Sequence, residues 1–288
     1  MRTHRFLPGP IVLLVLVILV VACNSAPPSP LDAGREALKA GKSAEAIAAL
    51  EKAVGNAPGS AEAHMLLGRA YLQANQKDQA QPRFTSGLSL DFKAVSFLDP
   101  QSADEHFLAG NVLANMNRLD EALAEYQTVV KLSPDRAGAY TNIGVVYYQK
   151  RQLDDAIAQY QKALSIEPND AVTHYLLGAA YVQQDKVPDA EKEFQAALNF
   201  DPNLGQAYIG LGNVYLLNKD YDKAASTLEK AAALLPNSPE ALFALGKTYA
   251  LQSRKADAIR VLNQCIQLNP PDPIKAEAQK IIQQLGTP

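Results

Sequence analysis

The stretch from His174 to Pro202 reads His174-x2-Leu177-Gly178-x2-Tyr181, then Ala190-x3-Phe194, Ala197 and Pro202. Its glycine recurs at Gly34, Gly68, Gly110, Gly144, Gly178, Gly212 and Gly246, in steps of 34, 42, 34, 34, 34 and 34 residues. The alanine keeps the same steps at Ala46, Ala80, Ala122, Ala156, Ala190, Ala224 and Ala258. Self-similarity at a period in this range is the signature of a stack of repeats, each one supersecondary unit.

Each position in the repeat has a physical task. Gly and Ala are small because two helices cross there, and larger side chains would hold the backbones apart. Leu177 and Tyr181 lie four residues apart and share one helix face. Phe194 and Ala197 lie three apart on a second helix and face back at the first. Pro202 cannot continue that helix, so it closes the unit, and Asn203 suits the following turn. One such hairpin cannot bury its own apolar face, whereas stacked neighbours share a continuous core.

The pattern of bulky-x2-Leu-Gly-x2-Tyr, Ala-x3-Phe and closing Pro resembles the tetratricopeptide repeat. The resemblance covers roughly residues 27 to 272. It implies an all-α, right-handed α-solenoid of seven helix-turn-helix repeats at 27–60, 61–94, 103–136, 137–170, 171–204, 205–238 and 239–272. Residues 95–102 are an insertion, and 273–288 form a capping helix whose apolar stripe is Ile274, Ala278, Ile281, Ile282 and Leu285. In the insertion region Phe92 stands where the closing proline belongs. This region reads either as a longer second helix or loop ended by Asp99-Pro100, or as a partner contact built from Phe92, Phe97 and Leu98. Pro82 and Gly87 are expected to weaken the helix before it.

The N-terminus carries a different message. Arg2 and Arg5 precede an unbroken apolar run of 12 residues, Ile11 to Ala22. This order matches a secretory signal. As a helix the run spans about 18 Å, short of the roughly 30 Å hydrocarbon core, so an uncleaved spanning anchor is the poorer reading. The end of the run, Val20-Val21-Ala22-Cys23, resembles the lipobox of bacterial lipoproteins. That resemblance implies cleavage after residue 22 and acylation of Cys23. It also implies an address on the envelope membrane: the outer membrane in a two-membrane bacterium, the extracytoplasmic face otherwise. Stable anchoring needs more than one acyl chain. Asn24 to Pro30 then form a proline-rich tether that reaches at most about 25 Å.

Composition excludes several functions. The chain of 288 residues holds 27 Lys and Arg against 30 Asp and Glu. Removing Arg2 and Arg5 with the signal takes the formal charge from −3 to −5. No basic stripe remains for nucleic acid. His64, His106 and His174 share one repeat position, and equivalent points on stacked helices are about 10 Å apart, too far for ligands of one zinc ion. They read as packing residues. Cys265 falls on the small-residue position of Ala197 and Ala231 with no histidine beside it, so it reads as core rather than nucleophile. Acid pairs such as Asp120-Glu121 and Asp154-Asp155 open second helices and complement the helix dipole. No catalytic, metal or cofactor constellation and no small-molecule substrate is expected, and the chain reads as a non-enzyme.

What remains is binding. The resemblance implies that first helices line a concave groove. Carried over position by position, the groove face includes Arg69, Asn111, Asn115, Asn142 and Tyr148. Further along it includes Gln149, Tyr175, Gln183, Asn213 and Phe243. Asn and Gln donate and accept at once, which suits the backbone of an extended peptide, and Tyr adds apolar area with a polar tip. The plainer alternative is that these are solvated helix residues. Some members of the family hold a terminal carboxylate with a Lys-Asn-Asn-Lys-Arg clamp. Asn111 and Asn142 match two of its positions, but Phe107, Val172 and Leu176 replace the three cations. The expectation is a membrane-anchored scaffold or assembly factor, like the bacterial lipoproteins of this class that serve pili and envelope complexes. It would hold a partner segment; the alternative is a permanent subunit of a membrane-bound complex.

Overall fold

A computed structural model describes residues 27–286, and every regular element among them is helical. The segment read as an export signal, together with Cys23, lies outside the described residues. None of the described helices is long and apolar enough to cross a membrane. The chain divides into two compact units at Pro100 and Gln101.

The first unit holds α1 (Pro30–Lys39), α2 (Ser43–Asn56), α3 (Ala61–Gln73) and α4 (Lys77–Leu90), followed by a 3₁₀ helix at Phe92–Phe97. The second holds five hairpins: α5 (Ala103–Asn115) with α6 (Leu119–Leu132), α7 (Ala137–Gln149) with α8 (Leu153–Ile166), α9 (Ala171–Gln183) with α10 (Val187–Phe200), α11 (Gly205–Leu217) with α12 (Tyr221–Leu234), and α13 (Pro239–Leu251) with α14 (Lys255–Gln267). The final helix is α15 (Asp272–Gly286).

The packing explains the sequence period. All seven repeat alanines are fully buried. Each repeat glycine lies against the residue sixteen further on: Leu50, Phe84, Tyr126, Tyr160, Phe194, Leu228 or Leu262. A Cβ on Gly144 would stand 2.5 Å from the Tyr160 ring, closer than atoms can approach. Within each unit a second helix packs on the next first helix, and α15 covers α13 and α14. Ile274 and Leu285 of α15 close the cluster of Leu242, Leu245, Tyr249 and Cys265.

Hydrogen bonds repeat in the same phase. Serine or aspartate caps α1, α3, α5, α9 and α13, accepting a backbone N–H of the first turn. The two helices of every hairpin are joined through one residue of positive φ: Gly41, Asn75, Asn117, Arg151, Asp185, Lys219 and Ser253. The next N–H returns to the carbonyl five residues back, as from Gln152 to Tyr147 at 2.9 Å. This closes the first helix with a left-handed cap that in six cases is not glycine. Between repeats, Lys150 bonds Asp120, Gln184 bonds Asp154 and Gln252 bonds Asp222. The acids that begin second helices therefore also accept from the following repeat.

The insertion region opens as a 3₁₀ helix and not as a longer second helix. The second helix does not continue, because α4 stops at Leu90. Asp91 accepts the Lys93 N–H and starts a 3₁₀ turn that folds back on α3 and α4. Ala94 and Leu98 are buried in this turn. Pro82 sits inside α4 without ending it, and Gly87 gives room to Met65, whose Sδ would lie 2.7 Å from an added Cβ.

Candidate functional site

In the second unit, successive first helices also pack directly on one another, from α5 through α13, which no pair of second helices does to the same extent. First helices therefore lie on the inner side of the stack and second helices on the outer. Among the inner helices α7, α9 and α11 contain no Asp, Glu, Lys or Arg. Their partners α8, α10 and α12 carry several each.

A cavity of about 450 Å³ opens on this inner face. Tyr148, Tyr175, Gln183 and Asn213, four of the residues expected on the groove, line it together. Phe194 forms its floor and Tyr175 tilts against that ring, with centroids 6.0 Å apart. Burial pushes the Tyr175 phenol up, and the neighbouring Tyr148 adds to the effect. Gly210 lines the cavity and lets the Phe194 ring come close beneath it. Where other inner helices place Leu108, Asn142 and Leu176, this one has no side chain, and a Cβ there would meet the Phe194 ring at 2.6 Å. Ala179 and Val182 complete the apolar wall.

Towards the start of the unit, Asn111 and Asn142 are joined. The Asn111 Oδ1 accepts from the Tyr126 hydroxyl and from Asn142 Nδ2, both at 2.8 Å. That arrangement uses one acceptor and one amide donor and leaves the Asn111 NH2 and the Asn142 carbonyl uncommitted. Asn115 and Gln149 are exposed on the same helices. Phe243 is half-buried against the C-terminal cluster.

The first unit places its candidates differently. Arg69 donates to the Phe97 carbonyl, so its charge ties down the 3₁₀ turn. Leu98 is only 6% exposed and faces the interior, while Phe92 stays 40% exposed. A second cavity, about 470 Å³, lies between α1, α3 and this turn and is lined by Arg35, Lys39, Arg69 and Leu98. Its cations have partners: Arg35 bonds Asp32 and Glu62, and Lys39 bonds Glu36.

The remaining candidates have structural tasks. His106 and His174 each bring Nδ1 to a glutamate of the following helix, Glu125 at 2.5 Å and Glu193 at 2.6 Å. His64 donates to the Pro58 carbonyl. No group of three potential metal ligands occurs among the described residues. Cys265 is fully buried, donates to the Pro239 carbonyl at 3.3 Å, and has its thiol pushed up by burial.

Helical hairpins stacked in phase, with three successive inner helices free of charged residues, define a protein–protein interaction scaffold. Family models described as tetratricopeptide repeat match residues 37–95 and 203–270, and one described as TPR repeat matches 110–151 and 146–185. The chain belongs to the tetratricopeptide repeat family. No curated protein sequence matches it. Solved structures share its fold. In the Cut9–Hcn1 hetero-tetramer of the APC/C, the similar chain is 19% identical with a TM-score of 0.62, over 94% of this chain and 51% of that one. The present chain thus spans about half the length of that relative. PilF of Pseudomonas aeruginosa is 20% identical with a TM-score of 0.59, over 76% of this chain and 96% of PilF. YrrB, described as a TPR protein with an unusual peptide-binding site, is 24% identical with a TM-score of 0.50, over 68% and 97%. At these identities the likeness is one of fold.

Proposed function

We propose that this protein is an exported, lipid-anchored scaffold that holds an extended segment of a partner protein on the inner face of its second unit. The observation that carries the binding half is the side-by-side pair of amides at Asn111 and Asn142. One spare donor and one spare acceptor on adjacent helices complement a peptide group, which offers one of each. The tyrosines of α7 and α9 continue that face with apolar area. The anchoring half rests on the sequence Val20-Val21-Ala22-Cys23 behind a basic start and an apolar run. The acyl groups on Cys23 fix the stack at its membrane, and the short tether keeps captured partners near the bilayer.

Two experiments test the two halves separately. Replacing Cys23 with Ser should move the protein from the membrane pellet to the soluble fraction, and unchanged pelleting refutes the anchor. Replacing Asn111, Tyr148 and Tyr175 together with Ala should abolish in-cell crosslinking to the partner while circular dichroism keeps its helical signal. Capture that survives this triple change removes the groove from the account.

A further inference from the structure

The inner helices α7, α9 and α11 form 39 residues without one Asp, Glu, Lys or Arg. Burial does not explain this. Gln149, Gln183, Gln206 and Asn213 are exposed on these helices, as are Val172 at 49% and Leu217 at 59%. Solvent-facing helix positions usually carry charge, and the outer helices of the same repeats do so. The inner face has kept amides and apolar groups instead, and its neutrality is confined to the three helices that build most of the cavity.

We infer that the cavity between Tyr148, Tyr175, Ala179, Val182 and Gly210 receives a large apolar side chain from an uncharged stretch of the partner segment. This rests on the groove reading above and names what that groove selects. The argument is one of charge complementarity. A charged guest side chain would lose its hydration against two tyrosines, an alanine, a valine and a phenylalanine floor. Among the described residues lining the cavity only Glu240 is charged, and one of its oxygens already accepts from Ser238 Oγ at 2.9 Å. Glu240 is exposed, so screening leaves its field too weak to select a charged guest of either sign. An apolar side chain gains by leaving water for these walls, because its hydration is unfavourable. Gln183, Gln206 and Asn213 at the mouth can hold the guest backbone, which is polar whatever its side chains are.

The test is a peptide selection on the purified full chain from an unbiased displayed library. Binding of the enriched peptides is then measured by fluorescence anisotropy. The expected consensus has Phe, Tyr, Trp or Leu at one position and no charged residue next to it. Exchanging that residue for Asp or Lys should weaken binding at least about tenfold, and affinity should be nearly the same at low and high salt. Ala179→Leu, which fills the cavity, and Val182→Glu, which charges it, should each weaken binding by a similar factor. Thermal melting by circular dichroism identifies a variant that fails to fold, and the other variant then decides. A charged consensus, a strong salt dependence, or binding indifferent to the folded cavity variants overturns the inference. If such peptides still depend on Asn111 and Asn142, the groove reading stands without it. If no peptide is enriched, or none depends on those asparagines, both fall.

Discussion

The two units each enclose a cavity on their first helices, of about 470 Å³ in the first and about 450 Å³ in the second. Their linings are opposite in kind. The first is walled by Arg35, Lys39 and Arg69, yet these side chains already bond Asp32, Glu62, Glu36 and the Phe97 carbonyl. The second has two tyrosines, apolar residues, one carboxylate at Glu240, and the amides of Gln183, Gln206 and Asn213, of which Gln183 accepts from Arg151. Charge in a cavity therefore does not by itself advertise a ligand: Arg35 and Lys39 pair with acids of α1 and α3, and Arg69 holds the inserted turn. Space walled mostly by uncharged side chains is the more informative feature, because an apolar guest can fill it without displacing an ion pair.

The largest test of this contrast is Phe194→Ala, which removes a buried ring from the floor of the neutral cavity. It should cost about 3–5 kcal/mol in denaturant unfolding. A much smaller loss would mean that the floor is not close-packed. Next comes pH. Beneath their repeat glycines the first unit packs Leu50 and Phe84, whereas the second packs Tyr126 and Tyr160. Burial drives both phenols well above their ordinary value. A group raised in the folded state contributes stability below its unfolded pKa of about 10 and loses it as pH climbs beyond. The second unit should therefore unfold in strong alkali. A Tyr126→Phe, Tyr160→Phe variant should lose less stability over the same alkaline titration by circular dichroism.

A smaller effect is expected for Arg69→Met, which leaves the Phe97 carbonyl without its donor and should cost about 1–2 kcal/mol. Amide exchange should quicken across residues 92–98, while peptide binding to the second unit stays unchanged. The smallest effect has the opposite sign. Lys219 holds a left-handed conformation that suits glycine, so Lys219→Gly should stabilise by about 0.5 kcal/mol after the added freedom of the unfolded chain is deducted. The matching Asn75→Gly in the first unit should change the melting temperature far less, because asparagine tolerates that conformation.

The fold was legible because its constraint is steric and periodic. Gly144 and Ala156 admit only small residues at a helix crossing, and the same demand returns at fixed steps. The left-handed turns were hidden, since Arg151, Lys219 and Ser253 are not residues that announce positive φ. The 3₁₀ turn was hidden too, for Phe92 to Leu98 alone do not reveal that Arg69 would reach back to the Phe97 carbonyl. Tyr148, Tyr175, Gln183 and Asn213 were expected on the groove from their repeat positions, and the structure brings them around one space. What lets the Phe194 floor approach is a missing side chain at Gly210. Setting the repeats in register exposes it as a departure from Leu176 and Asn142, but only the Phe194 ring beneath shows why it matters.

The neutrality of α7, α9 and α11 has a further consequence for the chain before it folds. Each of these stretches is apolar, uncharged and rich in tyrosine or valine, the composition that lets nascent chains stick to one another. Each is followed by a charged segment: Lys150, Arg151, Asp154 and Asp155 after α7, Asp185, Lys186, Asp189 and Glu191 after α9, and Lys219, Asp220, Asp222 and Lys223 after α11. Charges so placed interrupt adhesive sequence every half period, so a surface suited to a neutral guest need not first capture its own siblings.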